Sequence, residues 1–389
     1  MPRMKGMRVM LEIRPVEVGE LPQAKALADQ TFRDWEQKSM ADGFPHIFSD
    51  TLAGQSFAAF EDGKMVTFLG LVPSVICVGR ARLSVYSLGS VCTHPDYRGR
   101  GYASKVLEKV LAHVEGAGAS LLLVSGTGPL YTRANCHLFG DVFRFVIKPD
   151  SAESLFSQHV RDDVQVREWK PVDWLKIAGA AARRTTRYEQ SVWDLAMLVR
   201  AEAYASCVKL RHKVLVAERE GELEGFVVVG VPHRDGKKHP PTAFEWAGSP
   251  EVVGMLLAAA VERYHLQQLE VPVPWHEQAL IRSLESYEVK RERNLGTVNI
   301  IHPERLIAQL RPYLREKDGE LECQFSVRFL ETGRTQIRLG KESGVLDSAE
   351  LVSLVFDPEP KIRLDSHFKH LLAQLFPIPF PYTGGLNYV

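Results

Sequence analysis

The chain has 389 residues, 45% of them apolar and 25% charged, with 48 Lys and Arg against 48 Asp and Glu. That length implies two or three domains, and the composition excludes a mainly disordered, collagen-like or coiled-coil chain. Zero formal net charge argues against a dedicated nucleic-acid binder, and no apolar run approaches the ~18 residues of a membrane span.

The cysteines (Cys77, Cys92, Cys136, Cys207 and Cys323) lie far apart without a Cys-x-x-Cys pair. They read as buried free thiols of a reducing cytoplasm, and neither a disulfide framework nor a metal site is expected. The basic start, Met1–Met10, runs into Glu12 and Arg14 instead of an apolar stretch, so no signal peptide is expected.

In chain order, Leu11–Pro15 reads as a strand and Pro22–Phe32 as a helix. Ser56–Glu61, a turn at Asp62-Gly63 and Met65–Ile76 read as a hairpin whose second arm should bulge or end near Pro73. Leu83–Thr93 is a further strand, followed by a loop, His94–Gly101, and a helix. That helix spaces Ala103, Val106, Leu107, Val110, Leu111 and Val114 along one buried face. Gly116 and Gly118 stop it, and Leu121–Val124 is an apolar strand. Strand, loop, helix and strand in this order make a βαβ unit, so part of the sheet should be parallel. Asp150–Gln165 reads as a polar linker with a helical turn.

The theme then repeats. Val214–Glu218, a turn at Glu220-Gly221 and Leu223–Val231 form a second hairpin, and Ala243–Ala247 is a strand. The next helix carries Val253, Leu256, Leu257, Ala260, Val261 and Tyr264, copying the earlier face at a constant offset of 150 residues. Leu269–Val271 matches Leu121–Leu123, with Pro272 ending the strand early. This reads as an internal duplication. Arg234–Pro241 reads as a solvated hairpin tip. After Pro303 come a helix (Arg305–Arg315), strands (Leu321–Leu330, Thr335–Leu339) and a helix (Ser348–Phe356), the pattern of a small α+β domain. The aromatic, proline-rich tail Phe376–Val389 should be extended as far as Tyr382. The whole is expected to be a mixed-sheet α/β fold in three units, residues 1–160, 161–302 and 303–389.

The sharpest signal is Val91-Cys92-Thr93-His94-Pro95-Asp96-Tyr97-Arg98-Gly99-Arg100-Gly101-Tyr102-Ala103. The first N–H groups of a helix lack internal partners, its dipole favours negative charge, and glycines let a ligand approach the backbone closely. Arg98 and Arg100 add positive charge. Neither a dinucleotide fingerprint nor a Walker loop is present. The arrangement suits a pyrophosphate.

This segment resembles the GNAT superfamily of N-acetyltransferases, whose pyrophosphate loop Arg/Gln-x-x-Gly-x-Gly/Ala is met by Arg98, Gly101 and Ala103. Val91-x-Thr93-x-Pro95 resembles that family's fourth strand and its exit, and the likeness covers about residues 10–150. The resemblance implies acetyl-CoA as co-substrate and direct acetyl transfer to an amine, small-molecule or peptidyl. It assigns Val91, Cys92 and Thr93 to the pantetheine arm and thioester, and the amides of Arg98, Gly99, Arg100, Gly101, Tyr102, Ala103 and Ser104 to the pyrophosphate. It makes Tyr131, after Leu121–Val124, the acid for the leaving thiolate, and places His46 on the loop over the acceptor site. An acetyl-cysteine route through Cys92, or through Cys136 beside His137, is the weaker alternative.

In the second copy, Ala247-Gly248-Ser249-Pro250-Glu251-Val252-Val253 is shorter, and the constant offset puts Glu251 opposite Gly101. A carboxylate there would repel a pyrophosphate. An active domain, a degenerate copy and a small α+β unit together resemble the enhanced-intracellular-survival (Eis) acetyltransferases. That likeness implies a sterol-carrier-like third domain, a homo-oligomer, and a chain-end carboxylate serving in proton transfer. Here that group belongs to Val389, where the family pattern ends in an aromatic residue. The competing expectations are a non-catalytic acyl-CoA-binding or regulatory protein, and an enzyme using a longer acyl donor or a protein lysine.

Overall fold

A computed structural model of the chain describes residues 10–159, 163–233 and 239–389. The expectations for residues 1–9 and for Arg234–Lys238 of the charged loop lie outside those residues.

The strands are β1 (Leu11–Pro15), β2 (Phe57–Glu61), β3 (Lys64–Val78), β4 (Ala81–Thr93), β5 (Leu121–Val124), β6 (Asp141–Ile147), β7 (Gln165–Glu168), β8 (Thr186–Tyr188), β9 (Leu210–Arg219) and β10 (Glu222–Pro232). They continue with β11 (Thr242–Ala247), β12 (Leu269–Pro274), β13 (Glu288–Arg293), β14 (Thr297–Ile300), β15 (Phe325–Phe329), β16 (Thr335–Leu339) and β17 (Glu342–Leu346). The first sheet runs β1-β2-β3-β4-β5-β14 with β8 also on β3, the second β13-β6-β12-β11-β10-β9-β7, and the third β15-β16-β17.

Helix α1 (Leu21–Phe32) packs on the first sheet, and the short α2 (Met40–Gly43) follows it. Helix α3 (Tyr102–Gly116) is the crossover between β4 and β5, which pair in parallel from Val85↔Leu121 to Leu88↔Val124. It buries Val106, Leu107, Val110 and Val114, as its spacing predicts, while Ala103 and Leu111 are half-buried. Short α4 (Pro129–Thr132) follows β5.

The second half contains α5 (Pro149–His159), α6 (Trp174–Ala182), α7 (Val192–Ala201), α8 (Ala203–Cys207) and α9 (Pro250–Arg263). Here α9 joins β11 to β12, again in parallel at Thr242↔Glu270, so a second βαβ unit exists. The remaining helices are α10 (Gln278–Ser283), α11 (Pro303–Lys317), α12 (Gly319–Gln324), α13 (Ser348–Phe356) and α14 (Ser366–Leu372).

Several local expectations are corrected. Strand β3 runs unbroken through Pro73 to Val78. Strand β2 ends opposite Leu69 and β8 begins opposite Ile76, so Pro73 lies where β3 has a strand on one side only. Likewise β12 continues past Pro272 to Pro274. Residues 149–159 are a full helix that buries Ala152 and Leu155 in the core around α9, not a linker with one turn. The strand predicted from Leu321 begins only at Phe325, because Asp318 accepts from the amides of Glu320 and Leu321 and caps a helical turn first. All five cysteines are free, but Cys207 and Cys323 are exposed.

Two strands cross between the halves. Strand β6 lies between β12 and β13 in the second sheet, and β14 pairs with β5 in the first from Thr297↔Val124 to Ile300↔Leu121. Each half therefore completes the other's sheet, and the halves cannot part without breaking both ladders. The C-terminal unit covers one face of the first sheet: Ile76, Leu83 and Leu121 share a core with Leu310, Phe356, Phe376, Ile378 and Phe380. Each large side chain so buried contributes ~1.5–3 kcal/mol. The tail is thus part of the fold.

Inside the second half, His212 of β9 is half-buried with Nδ1 2.9 Å from the carbonyl oxygen of Val199. Burial holds its pKa down, to about 4, whereas an unfolded imidazole titrates near ~6.5. Between those values the unfolded chain binds the extra proton. This contribution to stability is therefore complete above pH ~6.5 and is lost as the pH falls toward 4. Melting temperature should drop on acidification from about pH 7 to 5, and less steeply in His212→Gln. Equal slopes in the two proteins would contradict this.

Candidate active site

Strand β4 carries a bulge near its C-terminal end. Phe68 pairs with Cys92 and Gly70 with Gly89, so Leu69 faces both Ser90 and Val91. Ser90 takes a left-handed φ of 51°. Bulges of this kind re-aim a strand next to a site. Beyond Leu88↔Val124, β5 no longer accompanies β4. The β4 edge at Val91, Cys92 and Thr93 therefore borders an opening where the parallel neighbour has ended.

The loop after β4 completes the opening. His94 accepts from the Asp96 amide and meets Tyr97 edge-on, capping the turn Pro95–Tyr97. Arg98 donates to the carbonyl oxygen of Thr93 (3.2 Å) and has no carboxylate partner among the described residues. Arg100 is committed elsewhere: it pairs with Glu61 at 3.1 Å and lies over the Tyr97 ring. The Tyr102 hydroxyl also bonds Glu61. Of the two loop arginines, Arg98 alone is left without an acidic partner. Gly99 and Gly101 take φ of 74° and 76°, and Gly101 is the N-cap of α3 with no side chain to occupy the first-turn amides of Tyr102, Ala103 and Ser104. Uncapped amides at the positive end of a helix suit an anion.

The second half differs at the same point. Ser249 caps α9 by accepting from the Val252 amide. Relative to its buried face, α9 starts two residues earlier than α3, so Glu251 falls in the first turn and not at the cap opposite Gly101. A capped turn with a carboxylate offers an anion little.

Tyr131 stands on α4, its ring against Gly126, where a Cβ would lie 2.5 Å from Cε2. Burial pushes its phenol up to about 12, so it keeps its proton. Burial likewise pushes both Cys92 and Cys136 to about 12, leaving neither as a thiolate nucleophile. His137 turns away from Cys136 to Ser348 Oγ (2.9 Å). The cysteine route loses its chemistry.

The tail brings the chain end to this region. An ideal Cβ on Gly89 would lie 2.3 Å from the carboxyl carbon of Val389, so the terminal carboxyl sits directly on β4 one residue before the bulge. Tyr388 packs between Phe44 and Tyr204 at ring distances of 6.2 and 4.9 Å and engages Ser125 beyond β5. Gln190 donates to Asn387 (2.5 Å).

Val389 and His46 line one cavity of about 250 Å³, with Phe44, Val72, Glu189 and Asp194. It opens at the one-sided stretch of β3, and Pro73 is part of its wall. His46 lies 3.9 Å from Asp194, and burial lowers its pKa, so the ring is neutral. Glu189 pairs with Arg82 at 2.7 Å. No lysine or arginine lines the cavity among the described residues.

Sequence reasoning missed Gly89, Ser90, Glu189 and Asp194. Gly89 reads only as a weak spot in a strand, and Asp194 as the partner of the Ser191 helix cap, which it also is. Among the described residues no group of three His, Cys, Asp or Glu is placed to hold a metal, and no helix is long and apolar enough to cross a membrane.

Residues 12–139 match the family profile described as an acetyltransferase (GNAT) domain. The fold of nearly the whole chain is similar to a GCN5-related N-acetyltransferase from Kribbella flavida, at 13% identity and TM-score 0.65, covering 96% of this chain and 99% of that one. It is similar to a probable N-acyltransferase from Enterococcus faecalis, at 14% identity and TM-score 0.64 over 96% and 98%. Eis1 from Mycobacterium abscessus follows at 12% identity and TM-score 0.59, covering 89% of each chain. At these identities the likeness is one of fold. No curated protein matches the sequence.

Proposed function

Residues 12–139 form a GNAT acetyltransferase domain, and from that premise we propose that the protein is an acetyl-CoA-dependent N-acetyltransferase acting on a primary amine. The observation that carries this reading is the terminal carboxyl of Val389 seated against Gly89 beside the β4 bulge. A base there stands next to the edge along which a thioester would lie.

In this account the opening after β4 and β5 takes the pantetheine arm, with Val91, Cys92 and Thr93 presenting backbone groups to it. The amides from Arg98 to Ser104 hold the pyrophosphate, and Arg98 supplies the uncompensated positive charge. The Val389 carboxylate takes one proton from the bound ammonium, the freed nitrogen attacks the thioester carbon, and its second proton leaves to solvent. As the tetrahedral intermediate collapses, the C–S bond breaks and Tyr131 gives its proton to the departing thiolate. Solvent then restores both groups.

The cavity holding His46 is the acceptor site in this reading. Its carboxylates at Asp194 and Val389, without lysine or arginine in its lining, support a cationic amine, while Glu189 is already paired with Arg82. The second half serves as a degenerate copy without a CoA site. In this reading the chain divides near residues 160 and 302, with β6 and β14 each crossing into the other half's sheet, and the third unit is sterol-carrier-like. The free cysteines support a cytoplasmic setting.

Tyr131→Phe tests the acid directly. It should lower kcat by about 10²-fold or more, the usual worth of a positioned acid, with acetyl-CoA affinity unchanged. Normal turnover would remove Tyr131 from the reaction.

A further inference from the structure

A chain terminus is held from one side only, and ends fray unless tied down. For Val389 to hold a fixed place, something earlier in the tail must set the direction from which it arrives. Asn294, only 4% exposed, lies between β13 and β14 and is not part of the cavity lining.

Its side chain bonds the tail and its own turn. Oδ1 accepts from the amide of Leu295 (2.9 Å) and from the amide of Thr383 (3.0 Å). Nδ2 donates to the carbonyl oxygen of Pro381 (2.9 Å). Thr383 Oγ1 stands 2.8 Å from the same Oδ1 and 2.5 Å from the carbonyl oxygen of Leu295, its one proton serving one of them at a time. The Asn294 amide in turn reaches the carbonyl oxygens of Phe139 and Gly140, both at 3.2 Å, which ties the clamp to the start of β6. Immediately after Thr383 come Gly384 and Gly385, which have the least backbone stiffness of any pair. Among the described residues the Asn294 bonds are the last that fasten the tail's main chain to the body before that pliable pair.

We infer that Asn294 is a positioning residue for the reaction: it fixes the turn from which the Val389 carboxylate reaches β4. The inference rests on the proposed role of that carboxylate. Leu386, Asn387 and Tyr388 hold the end from beyond the glycine pair, so losing Asn294 shifts the end without freeing it, and a displacement of ~1 Å at a reacting group can cost roughly 10²-fold in rate.

The test compares Asn294→Ala and the milder Thr383→Val in the full chain and in a chain lacking Val389, whose new terminus sits about 3.5 Å back along the chain. In the full chain each substitution should lower kcat, Asn294→Ala by at least about tenfold, with KM for acetyl-CoA unchanged. In the shortened chain neither should lower it further, because the group they position is already displaced. An equal further loss in the shortened chain would show a general structural role and overturn the positioning inference. Full kcat in the shortened chain without other changes would instead overturn the carboxylate reading, and this inference with it. Thr383→Val gives the same comparison if Asn294→Ala does not fold.

Discussion

Gly89→Ala is expected to lower kcat by about 10²-fold while leaving acetyl-CoA affinity and melting temperature close to those of the parent. The added methyl would meet the Val389 carboxyl carbon at 2.3 Å and its oxygen at 2.7 Å, distances that no packed pair tolerates. Gly89 does not have a left-handed φ, so alanine strains no backbone there. Something must move, and the free chain end is the softest neighbour. Steady-state kinetics with calorimetric unfolding as the control reads this out. Unchanged kcat would mean that the terminal carboxylate takes no part in the reaction.

Gly101→Glu is expected to raise the acetyl-CoA Kd by about 10²-fold or more. Two effects add. A residue with a Cβ at φ 76° costs ~1–2 kcal/mol in strain, although nothing lies within 4 Å of that Cβ. The carboxylate would also stand among the amides meant for a pyrophosphate, and a like-charge contact near ~4 Å opposes binding by about 4 kcal/mol at a protein surface. Gly101→Ala carries the strain without the charge, so it should lose much less affinity. Equal losses in the two variants, by calorimetric titration, would place the pyrophosphate elsewhere.

What the sequence makes legible here is short-range. The β4–loop–α3–β5 run needs only local alternation, a 3.6-residue period and glycine chemistry, and the structure follows it closely. The repeated βαβ unit is legible for the same reason. The exchange of β6 and β14 between sheets is not, because an apolar strand looks alike whichever neighbour it takes. Pro73 shows a rule met in an unforeseen way: a proline needs only one open side, which the gap between β2 and β8 provides.

Charge misleads differently. Arg98 and Arg100 are equivalent in sequence, yet Glu61, nearly forty residues earlier, neutralises one of them. The cavity proposed for the acceptor is the least legible part. Its walls come from residues 43–52, 72–74, 189–203 and 387–389, and no local pattern links those segments. Family resemblance alone points to Val389, and no local pattern points to Gly89, which makes room for it.

The most direct measurement is release of free CoA thiol from acetyl-CoA in the presence of single amines: aminoglycosides, polyamines, amino acids and lysine peptides. The account predicts release that depends on a cationic amine, saturates with it, and falls about 10²-fold in Tyr131→Phe. Acetyl-CoA bound tightly but never cleaved with any amine would contradict it, and would make the protein an acyl-CoA-binding or regulatory one on the same fold.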